Sequence, residues 1–181
     1  MKKLKGGMTN WQVSTAAEAI AAAQFARFGF DVSVQYGANQ PEYDLMIARS
    51  DQVLKVSVKG SKNGGWGLSQ SQLAALRKAD RKGKTDYHAA ADKWGAKHFP
   101  RTVVCFVQFK DVKDDQMPRI YLARPKEVVD RLKLASGGRG DTILWESYKR
   151  GPKAAGAGTT EQIPDTWRLT LDRVQTLLRE T

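Results

Sequence analysis

The segment Val53-Leu-Lys-Val-Ser-Val-Lys59 alternates apolar and polar residues. In an extended strand this sends Leu54, Val56 and Val58 to one face and Lys55, Ser57 and Lys59 to the other. A strand that ends by presenting a lysine beside polar side chains positions that amine. Asp44 lies on the preceding extended segment between Tyr43 and Leu45. A carboxylate there is costly unless it is solvated, paired or bound to a cation. Glu18 stands at the edge of an apolar helical stripe, in register with Ala21 and Phe25. Three polar groups on three sheet-packed elements can converge on one site. Taken singly, each has a plainer reading: an Asp44–Lys59 ion pair across a hairpin, a solvated Glu18, or an edge-strand Lys59 that discourages aggregation.

The elements that must hold these groups are legible from periodicity and turn residues. Ala17, Ile20, Ala21, Phe25 and Phe28 form one stripe, which predicts a helix from Ser14 to about Phe28. Ser14 or Thr15 is the expected cap and Gly29 the stop. Strands are expected over 30–36, 43–48 and 53–59, with a turn over 37–41. Gly60 to Gly67 reads as a flexible loop, followed by helices over 69–82 and 87–98. Thr102 to Phe109 is a buried strand, Arg119 to Ala123 a short one, and Pro125 opens a helix to about Leu134. A strand over 142–148, a linker or mobile loop over 151–160 and a last amphipathic helix with Leu171, Val174, Leu177 and Leu178 complete the chain. This order predicts an α/β class and one domain over 1–181, with a core of about 14–134 and a C-terminal extension of about 135–181.

The chain has 181 residues, with 30 Lys and Arg against 19 Asp and Glu, for a net charge of +11. That excess favours a polyanionic partner. It is concentrated in residues 61–101, which carry nine basic and three acidic side chains. One cysteine, Cys105, excludes an intramolecular disulfide framework and a Cys-rich zinc module, and places an inert thiol mid-strand. Two histidines, His88 and His98, argue against a His-rich metal site. The apolar run 16–23 is interrupted by Glu18 and too short for a signal peptide. A cytoplasmic protein without membrane attachment is therefore expected. Gly83-Lys84-Thr85 lacks the earlier glycine of a phosphate loop, since position 78 is Lys78, and Arg139-Gly140-Asp141 reads as an ordinary turn.

Glu18, Pro41-Glu-Tyr-Asp44 and Ser57-Val58-Lys59, in that order, resemble the motifs of the PD-(D/E)xK nuclease superfamily over roughly 15–109. The resemblance implies a restriction-endonuclease-like fold, a mixed central sheet flanked by helices with an αβββαβ core. It also implies Mg²⁺, or Mn²⁺ in its place, held by Asp44, the Val58 carbonyl and Glu18. Lys59 would orient the attacking water and steady charge on the phosphate. The types suit those roles, because Mg²⁺ takes few carboxylates and several waters, and an ammonium favours a developing oxyanion. Ser57 departs from the pattern, standing where the superfamily has its second acid.

Two expectations follow. One is metal-dependent endonucleolytic cleavage of DNA by Glu18, Asp44, Ser57 and Lys59. The other is a nuclease-fold module that binds DNA or RNA with little or no cleavage. Nucleases of this kind often act as homodimers. In this architecture the region after the lysine borders the cleft, so Lys62, Asn63, Arg77, Lys78, Arg81, Lys82 and Lys84 are expected along a phosphate backbone. Trp66 and Tyr87 are candidates for stacking on bases, or for core and rim packing.

Overall fold

The computed structural model describes residues 7–35, 42–79 and 85–179. Helix α1 spans Asn10–Arg27 and begins earlier than the apolar stripe suggests. Thr9 caps it through a reciprocal pair with Gln12, not Ser14 or Thr15. Of those first residues only Val13 joins the buried stripe, and the Thr9–Gln12 cap lies ahead of it, so apolar periodicity does not locate the start. Val13, Ala17, Ala21 and Phe25 recur every four residues and are buried. Gly29, at φ 83°, turns the chain out of the helix.

Strands β1 (Asp31–Val34), β2 (Leu45–Arg49) and β3 (Gln52–Ser61) form an antiparallel meander. Next come β4 (Gly65–Gly67), α2 (Gln70–Ala79) and α3 (Tyr87–Gly95), which cross over to β5 (Thr102–Gln108), parallel to β3. Strand β6 (Arg119–Ala123) returns antiparallel to β5. The resulting five-stranded sheet runs β1-β2-β3-β5-β6 and is mixed. Every residue of β5 is buried, as expected of a strand covered on both faces.

One face packs Ala17, Ala21 and Phe25 of α1 against Leu45, Ile47, Leu54, Val56 and Val58. Val174, Leu177 and Leu178 of the C-terminal helix α5 (Leu171–Arg179) join that layer. The other face buries Val104 and Phe106 under Trp66, Ala91, Trp94 and the helix α4 (Pro125–Leu134). The chain is thus an α/β fold with five helices among the described residues and a mixed central sheet between layers.

Three expectations need correction. The glycine-rich segment 60–67 is not a free loop: β3 continues through Ser61, and β4 pairs with β7 (Ile143–Trp145). The single strand expected over 142–148 is two, β7 and β8 (Ser147–Lys149), meeting at Glu146. Of the two readings of 151–160, linker or mobile loop, the inter-element linker is set aside: the segment is the loop of a hairpin, because β8 pairs with β9 (Thr160–Gln162). No described helix is long and apolar enough to cross a membrane. The expected turn over 37–41 lies outside the described residues.

Candidate active site

A close approach of helix to strand sets the site. A Cβ placed on Gly60 would lie 2.8 Å from both the Val13 side chain and its carbonyl oxygen, and 3.0 Å from Ala17. Only glycine lets α1 sit this near β3, and the next residue on the helix is Glu18. Asp44 precedes β2, where its amide donates to the Val56 carbonyl at 2.9 Å. Its carboxylate accepts the Val58 amide at 2.5 Å, taking a place that a main-chain acceptor would otherwise fill. Lys59 follows on the opposite face of β3. Glu18, Asp44 and Lys59 all line one cleft of about 380 Å³, together with Asn10, Ser14 and the loop after β3.

The charges there are left unneutralised. Among the described residues neither Glu18 nor Lys59 makes a hydrogen bond or ion pair, so the Asp44–Lys59 salt bridge is not formed. Burial pushes the Glu18 carboxyl above its ordinary range, Asp44 pushes it further, and Lys59 opposes both. The repulsion that Asp44 exerts on the Glu18 carboxylate is one that a cation would relieve. Among the described residues no three His, Cys, Asp or Glu side chains converge as metal ligands. What faces the cleft is the pair of carboxylates, Glu18 and Asp44, beside the Val58 backbone.

Ser57 is 2% exposed and is not part of the cleft wall. Its expected place among the catalytic groups is thereby corrected: Ser57 shares the face of Lys59 but lies two residues further back along β3, where it pairs in register with Val104 of the fully buried β5. Trp66 is also corrected. It is 2% exposed and packs on Phe106 and Tyr121, with ring centroids 5.1 and 6.3 Å away, so its faces are closed to a base. The Tyr87 ring is covered by the Arg139 guanidinium at 4.7 Å.

Lys62 and Asn63 are exposed at the cleft rim, where Lys62 Nζ donates to the Met8 carbonyl. The Ser61 hydroxyl stiffens this rim through the Gly65 carbonyl at 2.7 Å and Asn63 Oδ1 at 3.0 Å. Arg77 and Lys78 occupy the exposed last turn of α2, away from the cleft lining. Arg81, Lys82 and Lys84 lie outside the described residues. Cys105 is fully buried, and burial, then Asp44, drives its thiol pKa far up, which makes it inert.

Sequence reasoning missed a second, smaller pocket of about 210 Å³ on the far side of Lys59. Gln72, Lys97 and His98 line it, brought together only when α2 and α3 pack, so no local spacing announces it. His98 lies against Trp94, and burial holds its imidazole below the usual range.

Among solved structures, a bacterial homing endonuclease aligns over 97% of this chain and 94% of its own, with 15% identity and a TM-score of 0.45. No protein-family model and no curated protein matches the sequence. A likeness this distant leaves the function to be argued from the cleft.

Proposed function

We propose that the chain is a Mg²⁺-dependent nuclease of restriction-endonuclease-like fold and PD-(D/E)xK type, cutting DNA endonucleolytically. The supporting observation is that Glu18, Asp44 and Lys59 share one open cleft without neutralising one another. Structural ion pairs elsewhere in the chain are closed at 2.6–3.0 Å. Asp44 and Glu18, with the Val58 carbonyl, would hold the ion, which when bound supplies Lewis acidity and a more acidic water.

The chain's own residues do the rest. The Val58 amide fixes one Asp44 oxygen and leaves the other to face the cleft. Lys59, on a rigid strand, offers a cation to the oxygens of a phosphate as negative charge gathers on them; such a contact is worth about 10²–10³ in rate. Lys62 and Asn63 at the rim meet the flanking backbone, where each phosphate neutralised makes binding more salt-sensitive.

Supercoiled plasmid incubated with Mg²⁺, Mn²⁺ or EDTA tests the reading. Nicking that needs the metal and disappears in Lys59→Ala is expected. Ser57 away from the cleft, with two acids lining it among the described residues, favours a second reading, a nuclease-fold module that binds without cutting. Salt-sensitive DNA binding with no cleavage under any metal would select it.

A further inference from the structure

The hairpin β8–β9 has two unlike faces. Register pairs Tyr148 with Glu161 on one side, and Ser147 with Gln162 and Lys149 with Thr160 on the other. The first side is locked. Glu161, 5% exposed, accepts from Arg150 at 3.0 Å, Arg131 at 3.0 Å and the Ser136 amide at 2.8 Å. Arg150 also reaches Asp141 at 2.6 Å, and Tyr148 stacks on Trp145 at 4.4 Å. The connecting turn is pinned too, since a Cβ on Gly156 would meet the Ser136 backbone at 2.6 Å. On the second side all four residues are exposed, and among the described residues none of their side chains makes a hydrogen bond or ion pair.

That face carries two hydroxyls, an amide and an ammonium, with no acid and no apolar group. A rigid two-stranded ribbon of this width fits the major groove of B-DNA. There Gln pairs with adenine, Lys with guanine, and Ser or Thr with either. The ribbon is also tied to the cleft. Strand β7, which leads into it, pairs with β4, whose three residues line the cleft wall, and the Glu146 amide donates to the Gly64 carbonyl at 2.9 Å. From Trp145 to Lys149 the chain can advance at most about 13 Å, or about four base-pair steps.

We infer that the outer face of the β8–β9 hairpin, Ser147, Lys149, Thr160 and Gln162, is the base-reading element that sets which duplex DNA sequence reaches the cleft. The choice of DNA as ligand rests on the nuclease reading of that cleft. Phosphate contacts at Lys62 and Asn63 position the duplex; the ribbon carries the sequence information.

The test uses the full-length Lys59→Ala protein, so that binding is read without cutting. A random-sequence duplex DNA pool is captured on it in Ca²⁺, sequenced, and compared with the same capture on protein also carrying Lys149→Ala and Gln162→Ala. The parent should enrich a defined motif. The ribbon variant should lose at least tenfold of that enrichment at two or more positions, with its affinity for the unselected pool within about threefold and its thermal midpoint unchanged. Equal motifs in both proteins, no motif in the parent, or displacement by duplex RNA as effective as by DNA would each overturn the assignment. Plasmid nicking by the wild type separates the two ideas. Nicking without a motif leaves the nuclease and removes the ribbon; a ribbon-dependent motif without nicking does the reverse.

Discussion

Two sets of charges flank the short sheet formed by β4 and β7, and they are arranged in opposite ways. Beyond β7, Arg119 closes on Glu146 at 2.7 Å, with the Tyr121 hydroxyl donating to the same carboxylate at 2.8 Å. Arg150 likewise spans Asp141 and Glu161. On the β4 side, Glu18 and Lys59 have no such partner among the described residues, although they share a cleft. Compensated charges hold a fold; uncompensated ones are available to something that is not the protein. The contrast separates acids closed in ion pairs from acids left open in a cleft where residue type alone does not.

The largest effect expected from breaking this contrast is on chemistry. Lys59→Ala and Asp44→Asn should each lower plasmid cleavage by about 10²–10³ or more, with DNA affinity retained or, for Asp44→Asn, improved by removal of a repulsive charge. Kinetics of nicking and fluorescence anisotropy measure the two separately. On the compensated side, Arg150→Ala leaves Asp141 and Glu161 without a shared partner and should cost about 3 kcal/mol of stability in urea unfolding. Its effect on cleavage should be secondary to unfolding. Smaller again, Gly60→Ala forces α1 away from β3 and should cost about 1–3 kcal/mol. It should also reduce cleavage beyond its effect on stability, because Glu18 moves with the helix.

The smallest effect is one of sign. Burial raises the Glu146 carboxyl, but hydrogen bonds from Arg119 and Tyr121 outweigh it and hold its pKa below the ordinary range. Its stabilisation is therefore complete above the unfolded carboxylate value and is lost as pH falls through the lower folded one. Glu18 behaves oppositely. Its folded pKa lies above the unfolded value, so stability declines as pH rises through that window. Glu18→Gln should accordingly raise the thermal midpoint slightly at neutral pH, and Glu146→Gln should lower it. Metal-dependent activity should climb with pH through the raised Glu18 range as that carboxyl loses its proton.

What was legible in the sequence follows from physical range. The alternation of β3 is local and two-residue periodic, so the opposed faces of Val58 and Lys59 could be read directly. The stripe of α1 was equally plain, but its start was not, because the Thr9–Gln12 cap lies upstream of any buried residue. The glycines around Trp66 suggest a flexible loop, yet they permit close strand pairing, since a Cβ on Gly65 would strike Trp145 at 2.7 Å. Residues 151–160 read as a linker or mobile loop by composition. What fixes them as a hairpin is the anchoring of Glu161 by Arg131 and the Ser136 amide, thirty and twenty-five residues upstream, which no local spacing announces.

The alternation of β3 also limits how this site can change over evolutionary time. Val58 and Gly60 face the α1 layer while Lys59, between them, faces the other way, so one residue gained or lost within 54–58 would exchange the two faces at a stroke. Point changes such as the serine at 57 leave every neighbour on its own side. Homologous chains should therefore differ freely in which residue occupies a given place on this strand, and hardly at all in the distance between places.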